Sequence, residues 1–166
     1  PFSSGGAWLS QAALALDPDS GALFVAWADR SVPSPTAVVM RSTDEAQTWE
    51  QVHVAGAPGF AYLLPTMVAR GGQVVLLSLR EHSSGLFDAA VDVSGDGGAT
   101  WADPDALNSA PLCTCFLQLR TPQRSGGMFG HYVGLDAQAG AIAAAWMDDR
   151  DAVKPQGVYA RVGTLG

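Results

Sequence analysis

The sequence predicts an all-β chain built from repeated units of four antiparallel strands, and three observations carry that prediction. The pattern S-x-D-x-(G/A)-x-T-W occurs twice, as Ser42-Thr43-Asp44-Glu45-Ala46-Gln47-Thr48-Trp49 and as Ser94-Gly95-Asp96-Gly97-Gly98-Ala99-Thr100-Trp101, 52 residues apart. A period near 50 residues is a signature of repeat architectures, in which one supersecondary unit recurs. Each copy follows a short β-rich run, and helical periodicity is weak throughout. Finally, 19 Gly and 10 Pro in 166 residues, with 48% hydrophobic and 15% charged residues, fit many short strands joined by tight turns.

The elements follow in order. In a first unit, about 12–55, strands are expected at Ala12–Leu16, Ala22–Ala28, Ala37–Ser42 and Gln51–Val54. Asp17-Pro18-Asp19-Ser20-Gly21 supplies a hairpin connection, and Pro33 and Pro35 interrupt the link between the second strand and the third. A second unit, about 62–119, repeats the plan with Thr66–Ala69, the turn Arg70-Gly71-Gly72, Val74–Leu79, Phe87–Val93 and a strand from Cys115 to Leu119. A third, about 130–166, has Val133 to Gly140 leading into Ala141–Met147 and then Gly157–Val162. Its match to the first is direct: Leu135-Asp136, Gly140 and Trp146-Met147-Asp148 repeat Leu16-Asp17, Gly21 and Trp27-Ala28-Asp29 at an offset of 119. The connection from Ala102 to Gly130 is long, and such connections are either functional or mobile.

Charge and composition exclude some functions. A net charge of −7 with 9 Lys+Arg leaves little basic surface for a phosphate backbone, so no nucleic-acid partner is expected. No apolar run approaches the roughly 18 residues of a membrane-spanning helix, and no membrane partner is expected. The chain starts at Pro1-Phe2-Ser3-Ser4 without an initiator Met or a signal-peptide pattern, which leaves a mature product, an excised domain and a piece of something longer all open. Cys113 and Cys115 are too close in sequence for an unstrained disulfide, so free thiols and a strained or intermolecular bridge stand side by side.

The octapeptide has the logic of a hairpin between the third and fourth strands of a unit. Ser42 and Asp44, or Ser94 and Asp96, can bond the backbone of their own turn. Gly98 permits positive φ, Thr48 and Thr100 return the chain to β geometry, and Trp49 and Trp101 supply apolar anchors. Ala46 replaces the glycine in the first copy, at a cost on the order of 1 kcal/mol if that position is left-handed. A rival reading takes Asp92 to Asp103 as a calcium loop, but it ends in Asp where Glu is required, lacks flanking helices and explains only one copy. No metal and no cofactor are expected.

These octapeptides resemble the Asp boxes, or BNR repeats, of sialidase-type β-propellers, and Gly130-His131-Tyr132-Val133-Gly134-Leu135 with the Ala-Trp-x-Asp strand ends resembles the blades of bacterial exo-sialidase-like proteins. The second box matches at every fixed position; the first departs only at Ala46. The resemblance implies that residues 1–166 form a single partial propeller of about three blades, part of a six-bladed closure completed by the remainder of a larger propeller or a second copy of the chain. It implies a secreted or cell-surface protein whose boxes are structural turns on the face away from the ligand.

The implied function is binding or hydrolysis of a glycan, a sialoside included; the alternative is a non-catalytic propeller for protein interaction or structural display. In such propellers the ligand lies near the ends of the second strands, which selects Asp29, Arg30, Arg80, Glu81, Asp148 and Arg150, with Tyr62 on a loop approaching the same region. Three arginines there could clamp a carboxylate by paired N–H donors, or Asp29–Arg30 and Asp148 or Asp149 with Arg150 could be local ion pairs that pin the loops. A sialidase proper also needs a tyrosine nucleophile with a glutamate and an acid/base aspartate. The Phe/Tyr-Arg-Ile-Pro segment that carries the family's first arginine is missing. The three arginines match by blade position only, and no residue is assigned as catalytic; Tyr132, His131 and Asp149 are the nearest candidates.

Overall fold

A computed structural model describes residues 11–83, 86–102, 121–122, 133–138, 140–148 and 157–164. They form eleven strands: β1 (Ala13–Leu16), β2 (Leu23–Asp29), β3 (Thr36–Ser42), β4 (Glu50–Ala55), β5 (Phe60–Arg70), β6 (Gln73–His82), β7 (Leu86–Ser94), β8 (Thr121–Pro122), β9 (Gly134–Gln138), β10 (Ala141–Asp148) and β11 (Gly157–Thr164). These make three antiparallel sheets, β1-β2-β3-β4, β5-β6-β7-β8 and β11-β10-β9. The first sheet follows the sequence expectation to within a residue or so at each end.

The second sheet departs from it at both ends. β5 starts at Phe60, well before the expected Thr66, because a bulge between Leu63 and Thr66 absorbs Pro65, with Leu64 at φ +48°. Tyr62, expected on a loop, is therefore a strand residue with no exposed surface, and its N–H donates to the Pro35 carbonyl at 2.8 Å. The described fourth strand is Thr121–Pro122, paired with Leu86 and Phe87. The expected strand Cys115–Leu119 and both cysteines lie outside the described residues.

Burial explains the difference in pattern between β2 and β6. In β2 the buried and half-buried residues alternate, with Phe24, Ala26 and Ala28 buried. Val74 to Leu79 of β6 are all buried. Successive strand residues point to opposite faces, so a run buried throughout needs cover on both. Phe24, Ala26, Val39 and Ala55 of the first sheet pack on Tyr62, Met67, Val74 and Leu76 of the second. The opposite face of the second sheet, with Val75, Leu77, Leu79 and Ala89, packs on Ala137, Ile142 and Ala144 of the third. The sheets are thus stacked face to face with the second in the middle. Leu14 and Leu16, paired with Val25 and Leu23 on the other face of the first sheet, remain exposed, as does Val162 of the third.

At one end of the stack a polar clamp fixes the first two sheets. Asp17, buried in the β1–β2 turn, accepts from the N–H groups of Gly71 (2.9 Å) and Gly72 (3.1 Å) in the β5–β6 turn. Burial by itself would raise its pKa, but bonds from Ser20, Asp19, Gly72 and Gly71 outweigh that and lower it.

Candidate functional site

The octapeptides sit at this same end, and their polar side chains are spent on their own turns. Ser42 Oγ donates to Asp44 at 2.8 Å and accepts from the Ala46 N–H at 3.0 Å, while Asp44 accepts from the Thr48 N–H (2.8 Å) and hydroxyl (2.5 Å). The second copy repeats every bond: Ser94 to Asp96 at 2.8 Å, Gly98 N–H to Ser94 at 2.8 Å, and Thr100 to Asp96 at 2.8 and 2.6 Å. The threonine bonds first, then the serine bonds, hold Asp44 and Asp96 at a pKa of about 2. Such carboxylates hold no proton to give at neutral pH. Asp92 and Asp96, which the calcium-loop spacing would place on one ion, face different partners: Asp92 meets His53 and Asp96 meets Thr100.

Of the residues expected to bind a ligand, Asp29, Arg30, Arg80 and Glu81 lie at the opposite end, where β2 and β6 finish. Asp29 accepts from the N–H (2.8 Å) and hydroxyl (3.0 Å) of Ser31, bonds that lower its pKa, and Arg30 is exposed. Among the described residues the ion-pair contacts are Arg41–Glu50 and His53–Asp92, so Asp29 does not pin its loop through Arg30. Arg80 is 5% exposed, its guanidinium 4.7 Å from the centre of the Phe60 ring, a cation–π contact.

Register corrects the idea of equivalent arginines. Leu23 lies opposite Ser42, and Val74 opposite Ser94. Counted from those anchors, the counterpart of Arg80 is Asp29, and that of Arg30 is Glu81. A shift of one residue turns a side chain to the other face of its sheet. Arg80 shares the face of Val74 and Leu76, toward the first sheet, and Glu81 shares that of Leu77 and Leu79, toward the third. Arg80 and Glu81 are neighbours in sequence that serve different sheet junctions. The backbone of Asp148 pairs with Gly157 at the end of β10; Asp149, Arg150, His131 and Tyr132 lie outside the described residues.

A constellation that sequence reasoning passed over joins the first two sheets nearer their outer strands. Nε2 of His53 on β4 lies 3.2 Å from Oδ1 of Asp92 on β7, and Asp92 has no exposed surface. The His53 ring stacks on Trp101 with centroids 4.4 Å apart and planes 11° from parallel, and Trp101 Nε1 donates to the Gly98 carbonyl at 3.1 Å. Beside them opens a cleft of about 590 Å³ bounded by residues 52–58 on one side and Ala99, Trp101 and Ala102 on the other, reaching Tyr62 and Asp92. The only sequence signal was an acidic residue inside the apolar run Ala89–Val93; nothing tied it to a histidine 39 residues away.

No protein-family model and no curated protein sequence matches the chain. Solved structures do. An α-L-arabinanase of Penicillium chrysogenum complexed with arabinobiose matches with a TM-score of 0.62 and 19% identity, over 93% of this chain and 46% of that one. An α-L-arabinofuranosidase of Fusarium graminearum in complex with an iminosugar inhibitor matches with a TM-score of 0.61 and 17% identity, over 94% and 45%. A Hadza microbial sialidase matches with a TM-score of 0.53 and 17% identity, over 90% and 30%. The chain thus spans less than half the length of these structures, and the sialidase suggested by the octapeptides is matched less well than the two arabinan-type enzymes. At such identities the likeness is one of fold: the three stacked antiparallel sheets have the architecture of part of a β-propeller, the fold of these glycosidases.

Proposed function

We propose that the chain supplies blades to a propeller that binds or hydrolyses a glycan at the strand-end face opposite the octapeptide turns, and that its ligand is a neutral arabinan-type glycan in preference to a sialoside. The observation that carries this reading is the likeness in fold, over 93% of the chain, to an arabinanase complexed with arabinobiose. Two features of the chain support it. The octapeptide carboxylates are spent on their own turns, which leaves the opposite end for chemistry. Arg30 and Arg80 occupy different register positions, which argues against a carboxylate clamp built from equivalent arginines. The open apolar faces of the first and third sheets suit further blades, either from a larger propeller or from a second copy of the chain.

The test is to offer the protein, in its native assembly, arabino-oligosaccharides and an α-sialoside with a fluorogenic aglycone. Saturable binding or cleavage of the arabino-oligosaccharides, with the sialoside at least ~10-fold weaker, is the expected result, a difference of about 1.4 kcal/mol. Preference for the sialoside overturns the choice of ligand. A folded protein that neither binds nor cleaves any of them overturns the reading as a whole and favours an interaction module.

A further inference from the structure

We propose that the cleft between the first and second sheets is a second ligand site, one that takes a neutral polyhydroxylated molecule of one or two sugar rings. It lies between β4 and the segment Ala99–Ala102, on the outer-strand side of the first two sheets, and runs along β4 as far as Ala55–Pro58 and Tyr62. Its volume, about 590 Å³, falls inside the ~300–1,000 Å³ of small-molecule sites. Small side chains keep it wide: Gly56, Ala57, Ala99 and Ala102 line its walls.

The lining selects the ligand by charge and hydrogen bonding. Asp92 brings a buried carboxylate to the cleft, and an ionised carboxylate only accepts hydrogen bonds, so the ligand must bring donors. Among the described residues neither Lys nor Arg lines the cleft, so a phosphate or carboxylate would meet Asp92 with no cationic side chain of that lining beside it. Among the described lining residues a compact ammonium would find one carboxylate, already shared with His53 at 3.2 Å, to offset the loss of its own hydration. Hydroxyl groups suit the site without either penalty. Trp101, held by its stack on His53 and its bond to Gly98, gives one wall an apolar surface for the C–H groups of a sugar ring.

The experiment titrates the native protein with L-arabinose, arabinobiose, maltose, N-acetylneuraminate and choline while tryptophan emission is followed, with Trp101→Phe identifying the responding ring. A saturable change with at least one neutral sugar is expected, weakened at least 10-fold in Ala99→Leu, which narrows the cleft at an exposed position, and in Ala102→Leu. Asp92→Asn is expected to weaken it as well, provided that its circular dichroism stays native; the two cleft-filling variants carry the test if it does not. The proposal falls if no neutral sugar gives a saturable change, if N-acetylneuraminate or choline binds as well as the sugars, or if the change survives both fillings. Failure here is separable from failure of the glycan-acting face: hydrolysis or binding there should persist in Ala99→Leu, whereas loss of that activity leaves the cleft titration unaffected.

Discussion

The two octapeptide turns share one sequence pattern and one set of internal hydrogen bonds, yet they hold very different places in the molecule. The first projects from the edge of the first sheet, and its Trp49 is 38% exposed. The second is wedged against the first sheet. Gly98 lies over the buried Phe24, Gly97 donates to the Gly72 carbonyl at 2.6 Å, Arg41 donates to the Gly97 carbonyl at 2.6 Å, and Trp101 stacks on His53. Backbone conformation follows suit. The left-handed pair is Glu45 (φ +58°) and Ala46 (φ +67°) in the first turn but Gly97 (φ +70°) and Gly98 (φ +86°) in the second. A motif that makes its own turn tolerates side chains at strained positions when it faces solvent; once docked, it needs glycine for space as well as for conformation.

The largest test of that contrast is the tryptophan pair. Trp101→Ala removes a ring packed against the first-sheet core and is expected to cost about 3 kcal/mol, whereas Trp49→Ala should stay within about 1 kcal/mol. Urea midpoints of the two variants measure this directly, and equal losses would break the contrast. Next comes the glycine. Gly98→Ala puts a Cβ 3.1 Å from Phe24 Cε1 at a left-handed position, for an expected loss of about 2 kcal/mol. The reverse exchange, Ala46→Gly, should gain up to about 1 kcal/mol by relieving the left-handed alanine, less what glycine's freedom in the unfolded chain takes back.

Acid should show where the two turns are alike. Both aspartates have a folded pKa of about 2, below the ordinary 3.8, with Thr48 and Thr100 as the leading causes. A depressed carboxylate pKa contributes stability that is complete above the unfolded value and is lost as pH falls through the folded one. The contribution of each turn should therefore be intact above about pH 4 and disappear toward pH 2. Amide shifts of Thr48 and Thr100 followed through an acid titration should move together; a displacement of one curve by a full unit would mean that docking also tunes the carboxylate.

The strands of the first sheet and the octapeptide turns were legible because their causes are local. Turn residues bounded β2, Gly21 before it and Pro33 and Pro35 after it, the Asp17–Gly21 turn carried its own turn residues, and the Ser-Asp-Thr spacing fixed bonds that span four residues at most. β5 extends back to Phe60, beyond the expected Thr66, because a bulge between Leu63 and Thr66 absorbs Pro65 and lets the pairing with β6 continue. The candidate site was less legible still. Blade-by-blade counting put Arg30 and Arg80 at like positions, an error of one residue, and in a strand one residue decides which neighbouring sheet a side chain meets.

By itself, then, the sequence determined the repeat, the turn chemistry and the strand-rich architecture, since each depends on residues within a few positions of one another. Only the tertiary structure decided that Asp17 clamps Gly71 and Gly72, that Asp92 meets His53 beside a cleft, and that Arg80 and Glu81 face opposite sheets. Those partners are set by how the sheets stack and in which register their strands pair, so they join residues that no local spacing connects.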